Sequence, residues 1–332
     1  MSNSISRLVT SHAVLVAMLV TAASVPAVAQ RWPTSTLTFV IPVAPGGPGD
    51  VVGRVLAERR GAILGQQVVL ENVPGAGGMV GGSRVAKGNP DGSQFVLGTV
   101  GTHAMSQTLY AKPMFNAVTD FAPVVLINEV PLTLTVRKTF PATDLKGFID
   151  YGKANPGKLN FGTGGVGSAS HLACVLLCSM TGVDAAHVAY RGGGPAFNDL
   201  IAGQLDFMCE ATSTALPHVT SGTAKVLAVL TRDRSPAAPN IPTADEQGVQ
   251  GLDIPSWYAL FMHAATPPHI IKRLRDATVE ATASSDVRRR LEPLGITMIS
   301  NERNTPEYLA SFLESEIAKW AASIKSSGVQ MQ

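Results

Sequence analysis

The stretch Ile41-Pro-Val-Ala-Pro-Gly46-Gly-Pro-Gly-Asp50-Val-Val-Gly-Arg54 decides the fold. Before it, Thr36 to Val43 is short and almost wholly apolar, the pattern of a strand covered on both faces. After it, Asp50 can cap a helix whose apolar positions Val51, Val52, Val55, Leu56 and Ile63 fall on one stripe. Between them stand Gly46, Gly47 and Gly49, broken only by Pro48. Glycine lets a backbone pass close to a ligand, and a helix start adds partial positive charge. Strand, glycine turn and helix start together build an anion site. An ordinary βα connection uses the same parts. Recurrence favours the site.

The construction does recur. Val68 to Leu70 leads into Pro74-Gly-Ala-Gly-Gly78 and a helix through Ala86; Gln94 to Thr99 leads into Gly98-Thr-Val-Gly-Thr-His103 and a helix to Tyr110. Leu159 to Gly162 leads into Gly162-Thr-Gly-Gly-Val-Gly-Ser168 and a helix through Met180. His187 to Tyr190 leads into Arg191-Gly-Gly-Gly194 and a helix through Ile201. Leu205 to Cys209 is a further strand, followed by Glu210 and a helix near Leu216 to Ser221. Leu132 to Val136, Val226 to Leu230 and Trp257 to Met262 are strand-like, and Asp144 to Ala154 is helical. Strand followed by helix, repeated, predicts an α/β fold with mostly parallel sheets flanked by helices. Ligands of such sheets bind beyond the carboxyl ends of the strands. Four glycine turns, near Gly46, Gly101, Gly164 and Gly192, would crowd one small domain. Two facing domains, each offering two turns, make a cleft.

Residues 1–29 read as an export signal: Arg7, an apolar run from Ala13 to Ala23, and Ala27-Val-Ala29 as a small-x-small cleavage site before Gln30. The run is too short to span a bilayer. Its removal takes the formal charge of +2 to 2 − 1 = +1 and leaves 332 − 29 = 303 residues, the length of two domains or one large one. A nearly neutral chain gives no electrostatic case for a nucleic-acid partner or a membrane surface. Cys174 and Cys178 stand at i, i+4 on a predicted helix, where a disulfide is poorly presented. With Cys209 they are expected to be small core residues. The stripe Tyr308, Leu309, Phe312, Leu313, Ile317, Trp320 and Ile324 has helical spacing and is expected to pack on a core.

Enzyme signatures are weak. Gly162-x-Gly164-x-x-Gly167 matches the dinucleotide fingerprint, but the end of the next strand holds Tyr190-Arg191 where an acid is wanted. Arg191 could receive a 2′-phosphate, which keeps an NADP-binding oxidoreductase as an alternative. Neither Ser168 nor Ser170 stands in a Gly-x-Ser-x-Gly elbow. The histidines are scattered, with no carboxylate at metal-ligand spacing. His103, just after a glycine turn, is a candidate ligand contact or a local hydrogen-bonding residue.

Many ordered motifs remain. They include Pro45-Gly-Gly47 with Asp50, Glu71-Asn-Val-Pro-Gly-Ala-Gly-Gly78, Val85-Ala-Lys87 with Pro90-Asp-Gly92, and Gly98-Thr-x-Gly-Thr-His103. Asp120-Phe-Ala-Pro123, Ala154-Asn-Pro-Gly-Lys-Leu159, Ser170-His-Leu-Ala173, Gly203-Gln-x-Asp206 and Ala215-Leu-Pro-His218 follow. Arg234-Ser-Pro236, Ile241-Pro-Thr243 and Ile317-Ala-Lys-Trp320 complete the series. Nearly end to end, the mature chain resembles the substrate-binding proteins of tripartite tricarboxylate transporters, the Bug receptors of Gram-negative bacteria. The resemblance implies two α/β lobes hinged like a Venus flytrap, with a small organic carboxylate held in the inter-lobe cleft by backbone N–H groups and helix starts. It implies a periplasmic location, delivery to the membrane permease subunits, no catalysis and no cofactor. The chain is expected to act as a monomer. An exported carboxylate sensor serving a signalling partner would carry the same residues.

On that reading lobe one spans residues 30–128 plus 256–332, and lobe two spans 129–255. Lobe one offers Val43, Gly46, Gly47, Gly49 and Asp50 on its first loop, and Gly101, Thr102 and His103 on its second. Lobe two offers Gly164, Gly165, Gly167 and Ser168, then Tyr190, Arg191 and Gly192, with Glu210 at a third strand end. Three of these places depart from the family pattern. Val43-Ala44 lacks the usual aromatic, Pro48-Gly49 replaces a glycine and a hydroxyl, and Glu210-Ala211 stands where Asp-Asn is usual.

Overall fold

The computed structural model describes residues 32–327. The export segment expected over residues 1–29, and its cleavage before Gln30, lie outside the described residues. Two parallel wings flank a pair of long strands. In the first wing β1 (Leu37–Ile41) lies between β2 (Val68–Asn72) and β3 (Gln94–Thr99), parallel to both. In the second, β5 (Leu159–Thr163) lies between β6 (Ala185–Ala189) and β7 (Phe207–Ala211), again parallel. The parallel pairing expected from the alternation is that of the wings.

What joins them is antiparallel. β4 (Phe121–Arg137) runs for 17 residues and β9 (Pro255–His263) for nine. β9 pairs with β3 on one side and with β4 on the other, from Phe121 opposite His263 to Pro131 opposite Pro255. One residue later β4 changes partner: Leu132 faces Ala211 of β7. β8 (Ala224–Val229) pairs with the same second half of β4, and β10 (Thr297–Met298) with its middle. The sequence pattern points to a strand only over Leu132 to Val136. Pro123 and Pro131 interrupt the earlier half as strand signals, because proline cannot donate to a ladder. The fold accommodates Pro123 with a register shift between Pro123 and Val125.

Helices cover the sheet: α1 (Pro48–Leu64), α2 (Met79–Ala86), α3 (Ser106–Leu109), α4 (Leu145–Ala154) and α5 (Ala169–Thr181) come first. Then come α6 (Gly193–Ile201), α7 (Thr212–Thr220), α8 (Pro268–Ala283), α9 (Ser285–Leu291) and α10 (Pro306–Ser327). On α10, Leu309, Leu313, Trp320 and Ile324 are buried, as the helical spacing predicts. The Trp320 and Trp257 indoles both donate to Glu316 Oε2, at 3.0 and 2.9 Å, which fixes the helix against β9. Cys174 and Cys209 are buried and Cys178 is half-buried. Burial pushes all three thiols up, so they stay protonated at neutral pH. Among the described residues no helix is long and apolar enough to cross a membrane.

Candidate functional site

Five helices begin around one cavity. Its lining includes Gly47, Pro48 and Gly49 at the start of α1, and Gly75, Gly77 and Gly78 ahead of α2. Ser168, Ala169 and Ser170 begin α5, Gly192 and Gly193 begin α6, and Glu210 and Ala211 precede α7. Leu132 of β4 and Ser256 and Tyr258 of β9 form the floor where the two long strands, paired side by side, cross from one wing to the other. The first N–H groups of a helix have no intrahelical partner, and each start carries roughly half a positive charge. Side chains usually satisfy some of those donors. Here α1, α6 and α7 start at Gly47, Gly192 and Ala211 with no side-chain cap; α2, after Gly78, has none either, but its Met79 and Val80 amides are given to the Ala76 and Gly75 carbonyls of the turn before it. Only α5 has one, Ser168, which accepts the His171 amide. The cavity holds about 80 Å³, against the roughly 10–15 Å³ that one water needs. It has the size of a small organic anion.

The β1–α1 loop is held from outside the cavity. Asp50 is not the cap that its position suggests. Pro48, with φ preset and no N–H to satisfy, takes the first helical position, and the cap is Gly47, three residues before Asp50. Asp50 then sits in the first turn and faces back. Its Oδ2 accepts the Gly46 amide at 3.0 Å and Arg54 Nε at 2.9 Å, and its Oδ1 accepts Asn72 Nδ2 at 2.9 Å. Burial alone would raise this carboxyl, but the bonds from Arg54, Gly46 and Asn72 outweigh it and hold the pKa below the usual range. Asn72 Nδ2 also donates to the Val43 carbonyl at 2.9 Å. Asp50 and Gly46 therefore shape the loop, while Val43, Gly47 and Gly49 line the cavity.

The β5–α5 loop is held from within. The Gly164 amide donates to Ser170 Oγ at 2.9 Å, the Gly165 amide to Thr163 Oγ1 at 3.3 Å, and the Gly167 amide to His171 Nδ1 at 3.4 Å. Ser168 Oγ donates to the Gly165 carbonyl at 2.7 Å. Thr163 Oγ1 also meets His187 Nε2 at 2.7 Å, and the His171 and His187 rings lie 4.4 Å apart. Burial first, then His187, pushes His171 down to about 4, so it is a neutral acceptor. The serines are thereby engaged as braces, with no base turned on either hydroxyl. Gly164 and Ser168 line the cavity; Gly165 and Gly167 do not.

The remaining sequence candidates separate the same way. His103 is fully buried, its ring 4.1 Å from that of Phe261 and also against Phe115 and Phe121. Burial pushes it down to about 3, and its Nδ1 meets Thr102 Oγ1 at 2.8 Å. It is a core residue and does not face the cavity. Thr102 forms a reciprocal capping box with Thr99. Gly101 packs against the Ser168–Ala169 backbone. The Tyr190 hydroxyl turns away to donate to Asp199 Oδ2 at 2.6 Å. Arg191, Gly192 and Glu210 do line the cavity, and Arg191 is exposed at its rim. Glu210 lies inside β7, not after it, because that strand runs two residues further than its apolar pattern.

Several lining residues escape the sequence reading. Gly75, Gly77 and Gly78 repeat the strand, glycine and helix construction and could have been found by it. Leu132, Ser256 and Tyr258 carry no local signal, since they reach the cavity only through the crossing of β4 and β9. The rims above them touch. Tyr110 Oη donates to the Val166 carbonyl at 3.2 Å, and a Cβ on Gly77 would stand 2.6 Å from the same oxygen. Among the described residues no group of three or more His, Cys, Asp or Glu side chains is placed to hold a metal.

Residues 52–329 match the family described as Tripartite tricarboxylate transporter family receptor. The chain belongs to that receptor family. BugT of Bordetella pertussis is 32% identical over 308 residues, covering 92% of this chain and 94% of BugT. The solved structure of the periplasmic binding protein BugD is 35% identical, with a TM-score of 0.88 over 91% of this chain and 100% of BugD. MatC of Rhodopseudomonas palustris, solved with bound malate, is 37% identical, with a TM-score of 0.86 over 88% of this chain and 100% of MatC. The receptor thus has the fold of periplasmic binding proteins. Its cavity lies among the glycine loops that carry the family motifs.

Proposed function

We propose that this receptor takes a small organic carboxylate into the cavity in the periplasm and hands it to the membrane permease subunits of a tripartite tricarboxylate system. The ligand leaves chemically unchanged. One observation carries this reading: five helix starts, four of them without a side-chain cap, surround a cavity that both wings of the sheet line. Such a site attracts a carboxylate, because helix-start N–H groups and helix dipoles meet there. The malate bound by MatC supports a dicarboxylate of four or so carbons. The two bodies that close on it are residues 30–128 with 256–332, and residues 129–255. The periplasmic location follows from the export signal read in residues 1–29 and from kinship with BugD.

A thermal-shift screen of C4 to C6 organic acids, each beside its amide, tests the reading. A ligand at about 100 times its dissociation constant adds about 2.7 kcal/mol to the native state. An acid that stabilises the protein while its amide does not is the expected result. Equal stabilisation by both, or turnover of the acid, would sink it.

A further inference from the structure

Among the described residues Glu210 is the one acid that lines the cavity, and it is 5% exposed. Its Oε1 accepts the Ala211 amide at 2.8 Å. Its Oε2 has no hydrogen-bond partner among the described residues. It lies 2.4 Å from where a Cβ on Gly193 would be, so the absence of a side chain at Gly193 is what gives that oxygen its place at the start of α6. The backbone of Glu210 is fixed from the other side, where Thr133 Oγ1 donates to its carbonyl at 2.9 Å. A buried carboxyl with one oxygen unspent, aimed into an anion site, competes with the anion. Two carboxyl groups in hydrogen-bond contact cannot both be ionised without large cost.

We propose that Glu210 binds the ligand in protonated form, Oε2 donating its proton to an oxygen of the ligand carboxylate, so that an anion entering a receptor whose Glu210 is ionised brings one proton from solvent onto it. This rests on the carboxylate reading above and names the device that admits the anion. The proton is not passed on: the hydrogen bond is made as ligand binds and broken as ligand leaves, and the proton returns to water.

The surroundings leave Glu210 to titrate alone. From β9 it faces the Tyr258 hydroxyl, whose pKa burial raises, and from α5 and β7 the thiols of Cys174 and Cys209, also raised by burial. All three are neutral at pH 7. β4 presents Leu132 and Thr133, and α6 presents Gly193, none of them titratable. Arg191 is the charged group at the rim. Burial pushes Glu210 up to about 7, with the Ala211 bond opposing the shift. Below that pH the free receptor is already protonated and the linkage is silent. Above it each anion must draw in a proton, and affinity falls toward tenfold per pH unit.

Calorimetry of the mature chain with malate, succinate and adipate from about pH 6 to pH 9, in two buffers of different ionisation enthalpy, reads this directly. Expected are a flat affinity below about 7, a fall of up to tenfold per unit above it, and uptake approaching one proton near the alkaline end. Glu210→Gln, which fixes the neutral form, removes both the slope and the uptake; Glu210→Asp keeps the slope with weaker binding. An acid that binds the wild type with no pH slope and no proton uptake overturns the proposal while leaving the carboxylate reading intact. So does a slope that survives Glu210→Gln, or an affinity that rises with pH. Failure of all three acids at pH 6, with no other acid of the screen binding, sinks the carboxylate reading and this inference together.

Discussion

The β1–α1 loop and the β5–α5 loop look alike as sequence and differ in how their amides are employed. Each is a strand, a glycine turn and a helix start. In the first, one carboxylate behind the loop gathers the Gly46 amide, Arg54 and Asn72, and the helix start at Gly47 is left without a cap. In the second, serine, threonine and histidine side chains consume the glycine amides one by one. A glycine-rich turn is therefore a donor array only where something else holds it in shape. The dinucleotide fingerprint at Gly162 to Gly167 is of the self-braced kind, which leaves it few amides for a pyrophosphate.

The difference is open to attack at its strongest point. Asp50→Ala removes the support of the first loop, and its buried bonds to Gly46 and Asn72 are together worth about 2–3 kcal/mol. The exposed Arg54 partner adds little. Urea unfolding is expected to show that loss, and calorimetry a fall in ligand affinity beyond tenfold. If both measurements stay at the wild-type values, the first loop does not depend on its carboxylate.

Acid separates the loops next. His171 is held near 4 in the folded chain but titrates near 6.5 when unfolded. The unfolded state thus binds the extra proton first, and stability is lost as pH falls from about 6.5 toward 4, by up to about 1.4 kcal/mol per unit. Asp50, a depressed carboxyl, keeps its contribution through that window and loses it only as pH falls through its own lower pKa. Unfolding curves between about pH 4 and pH 7 should lose about one proton's share of the slope in His171→Asn, with that of buried His103 remaining, and keep the whole of it in Asp50→Ala. The opposite assignment would reverse the account of which loop is acid-sensitive.

Bulk in the cavity gives a smaller effect. A Cβ at Gly47 or Gly164 finds only ordinary contacts, 3.6 and 3.4 Å at nearest, so valine fits at either without strain at Cβ. Gly47→Val covers an uncapped helix start and is expected to cost at least tenfold in affinity, about 1.4 kcal/mol. Gly164→Val, whose amide is already given to Ser170, acts by volume alone and should cost roughly threefold to tenfold (about 0.6–1.4 kcal/mol). Titration of the two variants with one acid decides it, and a more damaging Gly164→Val would contradict the division of roles. Arg191→Ala comes last. An exposed rim charge is worth under about 1 kcal/mol and is screened by salt. Its effect should shrink toward nothing between low and high salt, and a large salt-insensitive loss would move Arg191 into the site proper.

Local pattern exposed much of this. The wings, their glycine turns and part of the lining follow from apolar runs ending in glycine, because those signals are short-range and physical. Two kinds of residue stayed hidden. His103 follows a glycine turn as a ligand contact would, yet its ring is stacked on Phe261, a partner more than a hundred and fifty residues away in the chain. Tyr258 and Leu132 reach the cavity only because β4 and β9 cross beneath it, and no window of sequence contains a crossing. Glu210 was read at a strand end and stands within the strand, since main-chain pairing to Leu132 and Thr133 carries β7 past its last apolar residue.

The same crossing has a mechanical side. At the level where β4 leaves one sheet for the other, Pro131 stands opposite Pro255. Neither ring nitrogen carries a hydrogen, so no amide from either strand ties the two together at that level. A sheet creased along this line gives up no main-chain bond there, while the rungs above and below stay intact. The longest strand among the described residues is thus scored, like card before folding, beneath the cavity.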